Sequence, residues 1–240
     1  MEPIHEPRLA WLYWSLLLIG IWLIIYLLIH RKDRRKEMLL VSAWTSVFGL
    51  TEPLFVPEYW NPTSLFDLAH RTGFDVESII YTFGIAGIAA VLYEWIFRTR
   101  HAHVAVKEHR TSRHRYHMWA ILSAPAIFLA LYFLTDLNVI YSTTIGLLAG
   151  GLFTWYCRPD LKQKMIVSAL LFTGLYFFYF LTLIAAYPGY VEQVWRLDVI
   201  SGILIVGIPL EELLFAFSFG FLWSSIYEHV TWQKITRGHR

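Results

Sequence analysis

A single cysteine in 240 residues, Cys157, excludes an intrachain disulfide. Charge is also scarce: Asp, Glu, Lys and Arg make up 16% of the chain and sum to a net +2, which offers no basic field for a nucleic acid partner. No metal-ligand spacing and no phosphate-binding glycine loop stands out. Every lysine, at 32, 36, 107, 162, 164 and 234, falls in an expected loop or tail. That sets aside a retinal-type Schiff base, which needs a lysine inside a helix.

What the chain has in quantity is apolar sequence. Apolar residues make up 57% of it, in blocks long enough to cross about 30 Å of hydrocarbon. The reading is an all-α integral membrane protein with seven transmembrane helices, over 11–29, 38–55, 77–97, 119–134, 139–156, 165–187 and 199–226. The first block has no basic region ahead of it and a strongly basic stretch behind it, and so is expected to remain as an anchor. All of the 20 Lys and Arg residues except Arg8, Arg71 and Arg196 fall on one side of this seven-span layout. Positive charge stays in the cytoplasm, so the N-terminus is expected outside, the C-terminus inside, and the protein multi-pass in the cell membrane. Trp11, Trp14, Trp60 and Trp195 then fall at outer helix ends and Trp95, Trp119, Trp155 and Trp232 at inner ends, where they read as interfacial anchors.

An internal repeat is visible. Aligning 75–94 on 209–228 without a gap matches Glu77 with Glu211, Phe83 with Phe217, Tyr93 with Tyr227 and Glu94 with Glu228, and Gly73 falls on Gly207. Glutamates are rare in apolar helices, so two acidic identities carry weight. Arg31, Asp33 and Met38 match Arg158, Asp160 and Met165 at a slightly smaller offset. The expected organisation is a first three-helix repeat over 1–97, a cytoplasmic basic loop and linking helix over 98–134, and a second three-helix repeat over 135–240. The linking helix lets the two repeats run parallel, and corresponding faces of the third and seventh spans can meet.

The costliest residues are Glu211 and Glu212, because one ionised side chain at membrane depth costs roughly 2.5 to 3.5 kcal/mol. Gly207-Ile208-Pro209 precedes them. Proline fits the first turn of a helix, so a break near Pro209 is expected, with both acids in the first turn of the inner segment. The helix end favours a carboxylate while burial and a like-charged neighbour oppose it, so the two acids read as a coupled pair sharing a proton. Glu77 of the first repeat is expected at similar depth. Glu228 lies about 25 Å further along the same helix, near the cytoplasmic face.

The run Gly207 to Phe215, in the last span of a duplicated three-span unit, resembles the Pro-x-Glu-Glu/Asp motif of the lycopene cyclase domain family, the CarR-type, flavin-independent membrane carotenoid cyclases. The first repeat departs from it, reading Asp75-Val76-Glu77-Ser78. The resemblance implies non-redox cyclisation of the linear end groups of a lipophilic polyene such as lycopene, with no cofactor. It implies Glu211, Glu212 and Glu77 as catalytic acid and base candidates, and Phe215, Phe217, Tyr81, Phe83 and Pro209 as substrate-binding residues, the aromatic faces stabilising a carbocation. A proton-coupled transporter or channel is the alternative for buried acids beside a broken helix, and a pair that merely holds helices together is the bland one. Contacts with membrane lipid are expected, and homo-oligomerisation stays open.

Other polar residues read as structural. Glu94 and Glu228 are expected to pair with Arg or to snorkel at inner helix ends. Glu52 either lines the same cavity or is an interfacial acid. His101, His103, His109, His114 and His117 read as a solvated, lipid-facing basic loop, with no metal.

Overall fold

The computed structural model describes residues 9–109 and 112–236. Arg8, Arg110, Arg237 and Arg240, which enter the charge partition, lie outside the described residues. About 76% of the described residues are helical, and the strands are short pairs that close loops.

The α-helices in chain order are α1 (Ala10–Leu28), α2 (Lys32–Ser46), α3 (Leu68–Thr72), α4 (Val76–Phe97), α5 (Val106–His109), α6 (His117–Leu134), α7 (Val139–Cys157), α8 (Lys162–Ala186), α9 (Tyr190–Val194), α10 (Leu210–Trp223) and α11 (Ile226–Thr231). The strands are β1 (Arg100–His103), β2 (Leu204–Ile205), β3 (Ile208–Pro209) and β4 (Gln233–Thr236), paired antiparallel as β1 with β4 and β2 with β3.

Among the described residues, five helical stretches are long and apolar enough to cross a membrane: Ala10–Leu28, Val76–Phe97, His114–Leu134, Val139–Cys157 and Pro159–Ala186. They expose large apolar residues, such as Leu23, Ile24 and Leu27 on α1 and Leu129, Phe133 and Leu134 on α6, as suits a hydrocarbon solvent. The chain is thus an all-α membrane protein. The second and seventh expected spans are not single long helices. In the second, α2 tightens at Val47 into a 3-10 helix that ends at Leu54 and contains Pro53. In the seventh, α10 begins only at Leu210, and the β2–β3 hairpin stands before it.

Residues cluster into two units. The first comprises 9–88, 138–140 and 175–213. Its helices approach closely where side chains are absent: a Cβ on Gly49 would stand 2.6 Å from the Ile79 backbone, so only glycine lets the 3-10 segment lie against the start of α4. At the hairpin turn Val206 and Gly207 both take positive φ, 54° and 82°, the pattern of a tight two-residue reversal. The backbone N–H of Leu210 donates to Ile203 O at 2.9 Å, which fixes where α10 starts.

The second unit comprises 89–137, 141–174 and 214–236 among the described residues. Leu161, Met165, Ala169 and Phe221 form its core, with Leu148, Trp155, Phe217 and Ile235 packed around them. Buried Arg158 ties the connections together, donating to Asp160, to Glu228 O and to Gln233 O. Lys164, expected in a loop, instead lies in the first turn of α8 and is buried. Helix α8 starts three residues before the apolar block does, because an internal ion pair removes the need to keep Lys164 in water.

Candidate active site

Pro209 is buried in β3, and Glu211 and Glu212 occupy the first turn of α10. The two carboxylates have different partners. Glu211 Oε1 accepts the backbone N–H of Ser201 at 2.9 Å, pinning the loop ahead of the hairpin. Glu212 turns inward. Its Oε1 accepts the Tyr59 hydroxyl at 2.7 Å and the Trp195 indole N–H at 2.9 Å, and its Oε2 accepts the Tyr176 hydroxyl at 2.6 Å. Three donors converging on one buried carboxylate make a strong acceptor site.

Backbone pairing positions two of those donors. The Asn61 N–H donates to Val194 O and the Arg196 N–H to Tyr59 O, around a bridge between Trp60 and Trp195. Burial, then the charge of Glu212, holds the Tyr59 hydroxyl well above its ordinary pKa, so it stays a donor. The third donor begins a chain. Tyr176 gives its only proton to Glu212, so the 2.7 Å contact between hydroxyls has Tyr81 donating to Tyr176. Tyr81 sits on α4 one turn after Glu77, on the same helix face. The structure therefore links the helix of Glu77 to Glu212 through two tyrosine hydroxyls.

Aromatic rings enclose this carboxylate. Trp11 packs edge-on to Trp60 at 4.7 Å and lies 5.2 Å from Tyr81, and Trp60 lies 5.3 Å from Trp195. Trp14 stacks on Tyr179 at 4.4 Å, and Phe180 touches Trp14, Tyr176 and Trp195. The tryptophans expected as interfacial anchors, Trp11, Trp14, Trp60 and Trp195, are all buried. Their rings turn toward the interior, which position along the chain does not reveal.

A second group of acids borders the rings. Glu52, Asp75 and Glu77 are all buried. Glu52 lies beside Ser78 and Trp60 and within electrostatic reach of Asp75 and Glu77, and Asp75 lies beside Trp11. Burial pushes the Asp75 carboxyl above its ordinary value, although its Oδ1 caps α4 by accepting the Ser78 N–H. Glu77 Oε1 accepts the Leu65 N–H at 2.7 Å, while its buried Oε2 meets no hydrogen-bond partner among the described residues.

The remaining expected substrate residues are placed as follows. Phe83 packs 5.1 Å from Trp22. Phe215 lies 5.5 Å from Phe219, and Phe217 stacks on Phe221 beside the core of the second unit. Sequence reasoning missed Tyr59, Tyr176 and Trp195 as partners of an acid. Their signal was a concentration of aromatics on the expected outer side, where the acids also lie.

In the second unit Glu94 and Glu228 both hold Lys164 Nζ at 2.6 Å, and His101 Nε2 lies 2.8 Å from Glu228 Oε1 and 3.3 Å from Glu94 Oε1. A lysine, which the sequence reading placed in a loop, is a partner of both acids. Burial works against a charge on His101, but its hydrogen bonds to Glu228 and Glu94 outweigh it and raise the pKa. The expected solvated histidine loop also differs, because His117 is buried and His101 is tied into the ion cluster. A further set of donors, His114, His117 and Cys157, has the atoms to hold a metal ion.

Residues 138–230 match the model of the lycopene cyclase family. Over this stretch the chain is similar to lycopene cyclases. No curated protein and no solved structure matches the chain. The matched segment contains Tyr176, Trp195, Glu211 and Glu212, and α4 with Glu77 and Tyr81 precedes it. That similarity points to carotenoid cyclase activity in general, an enzyme that closes rings, and a lipophilic carotenoid as substrate.

Proposed function

We propose that the protein is a lycopene cyclase that closes end groups of a linear carotenoid by non-redox acid–base chemistry. The observation that carries this reading is Glu212, a carboxylate held by Tyr59, Tyr176 and Trp195 inside a cluster of aromatic rings. A carboxylic acid adds a proton to the terminal double bond of the polyene, leaving a tertiary carbocation. The internal double bond attacks it, forming the ring carbon–carbon bond and moving the positive charge into the ring. Loss of a neighbouring proton to a carboxylate restores a double bond, so the product is an isomer of the substrate and no electrons are exchanged.

Glu212 suits the accepting step, and rings at its sides can face the cation. The buried group of Glu52, Asp75 and Glu77 is the proton source in this scheme, because three acids that close together in apolar surroundings favour retention of a proton. Trp60 borders both groups. The hydroxyls of Tyr176 and Tyr81 offer a route by which the proton taken up at Glu212 leaves it. Glu211 positions the loop before α10, with Pro209 setting the start of that helix. The faces of Tyr81, Phe83, Phe215 and Phe217 are the proposed contacts for the polyene.

The proposed membrane arrangement keeps seven spans, with the N-terminus outside and the C-terminus cytoplasmic, and two parallel repeats over 1–97 and 135–240 joined through 98–134. Matching local geometry supports the repeat. Arg31 grips Asp33 through two hydrogen bonds, as Arg158 grips Asp160. Gly73 and Gly207 both adopt the left-handed region, at 79° and 82°. Glu77 and Glu211 each accept a backbone N–H from the loop upstream, of Leu65 and Ser201. On this alignment Glu212 falls on Ser78, so the carboxylate that faces the rings belongs to the second repeat alone.

The test is expression in a host that accumulates lycopene and has no cyclase of its own. Cyclic carotene is expected with the wild-type chain, and unchanged pigment with protein present in the membrane would remove the assignment.

A further inference from the structure

We infer that His114, His117 and Cys157 form a binding site for a thiophilic closed-shell cation, Zn(II) or Cu(I). The site uses none of the residues assigned to cyclisation. His114 comes from the 3-10 turn Ser112–Tyr116, His117 opens α6 and Cys157 closes α7. Cys157 Sγ lies 3.4 Å from His114 Nδ1 and 3.6 Å from His117 Nδ1, and the three donor atoms lie within 4.8 Å of one another. Tetrahedral zinc with sulfur at about 2.3 Å and nitrogen at about 2.0 to 2.1 Å separates those ligands by about 3.6 Å. The sulfur therefore already stands from each imidazole nitrogen at the spacing that one central ion imposes. A thiol has one hydrogen and can serve one of the two imidazoles, whereas one ion serves all three donors.

The surroundings hold these rings in place. His117 stacks on Trp232 at 4.0 Å, and Trp232 also packs edge-on to His114 at 5.0 Å. A fourth imidazole stands beside them: His229 is fully buried, its ring 4.4 Å from His117, and its Nε2 meets no hydrogen-bond partner among the described residues. Imidazole and thiolate donors select zinc or cuprous copper over magnesium or calcium, which prefer oxygen. Binding deprotonates the thiol and fastens the start of α6 to the end of α7. The signal was hidden in the sequence because His114 and His117 are separated from Cys157 by 40 residues and more.

The experiment uses the full-length, tag-free chain in detergent, from cultures supplemented with zinc or with copper. Metal content is measured after dialysis, and a second sample is loaded with Co(II). One tightly held ion per chain is expected, with a sulfur-to-cobalt charge-transfer band that must come from Cys157, the only cysteine. Retention of zinc or of copper supports the site and names the ion. Cys157→Ser is expected to abolish the band, and His117→Ala to weaken binding by about tenfold or more. Absence of the band in the wild-type chain overturns the inference without recourse to any variant, as does equal metal retention by folded Cys157→Ser.

Discussion

Replacing Glu212 by glutamine keeps the shape of the side chain and removes the charge on which three donors converge. The amide oxygen can still accept from Tyr59 and Trp195, but the amide nitrogen then faces the Tyr176 hydroxyl. Tyr176 must become the acceptor and turn its own proton toward Tyr81, which reverses the hydroxyl chain. A hydrogen bond to a charged group contributes about 1.5 to 3 kcal/mol and a neutral one about 0.5 to 1.5, so three bonds lose roughly 3 kcal/mol together. Removing a buried charge offsets part of that loss, so the variant is expected to fold. Chemistry is affected far more: a positioned acid–base group contributes about 10² to 10⁴ in rate, so Glu212→Gln should lower cyclisation at least about 100-fold. The assay is the initial rate of cyclic product formation from lycopene in proteoliposomes, normalised to folded protein. Glu211→Gln is the comparison, since its oxygen can still accept the Ser201 N–H, and it should keep the rate within about tenfold. A Glu212→Gln rate within a factor of about two of wild type would refute the role given to this carboxylate.

Three further outcomes follow from the geometry. Tyr176→Phe removes the hydroxyl between Glu212 and Tyr81 and should slow cyclisation about 10-fold to 100-fold in the same assay without loss of folded protein; an unchanged rate would exclude the tyrosine route. Lys164→Met leaves Glu94 and Glu228 buried without their shared cation and should destabilise the protein by about 3 to 5 kcal/mol, read as a lower melting temperature in detergent, with partial recovery when Glu94→Gln is added. His101 has a raised pKa in the fold, so its contribution is complete below its ordinary value of about 6.5 and is lost as pH rises through the folded value. The melting-temperature gap between wild type and His101→Gln should therefore be widest near pH 6 and close in alkali; a gap that widens with pH would contradict the ion cluster.

The sequence made legible what depends on local cost. Pro209 and two adjacent acids inside an apolar block announced a helix start, and α10 indeed begins at Leu210 with both acids in its first turn. Five of the expected spans correspond to long apolar helices for the same reason. The directions of side chains were not legible. Trp11, Trp14, Trp60 and Trp195 read as anchors because composition gives depth along the membrane normal, not which way a ring points. Lys164 read as a loop residue because the acids that neutralise it are 64 and 70 residues away. Glu211 and Glu212 looked equivalent; only tertiary contacts separate the one that fastens a loop from the one that faces the rings.

The proposed cyclisation exchanges protons with water and no electrons, so running it in heavy water is the decisive test. Protein in liposomes, given lycopene in deuterium oxide without flavin or nucleotide, should yield a cyclic isomer carrying one solvent deuterium for each ring formed, because the acid that protonates the polyene exchanges with water. Cyclic product without deuterium, or formed only when a redox cofactor is added, would contradict it.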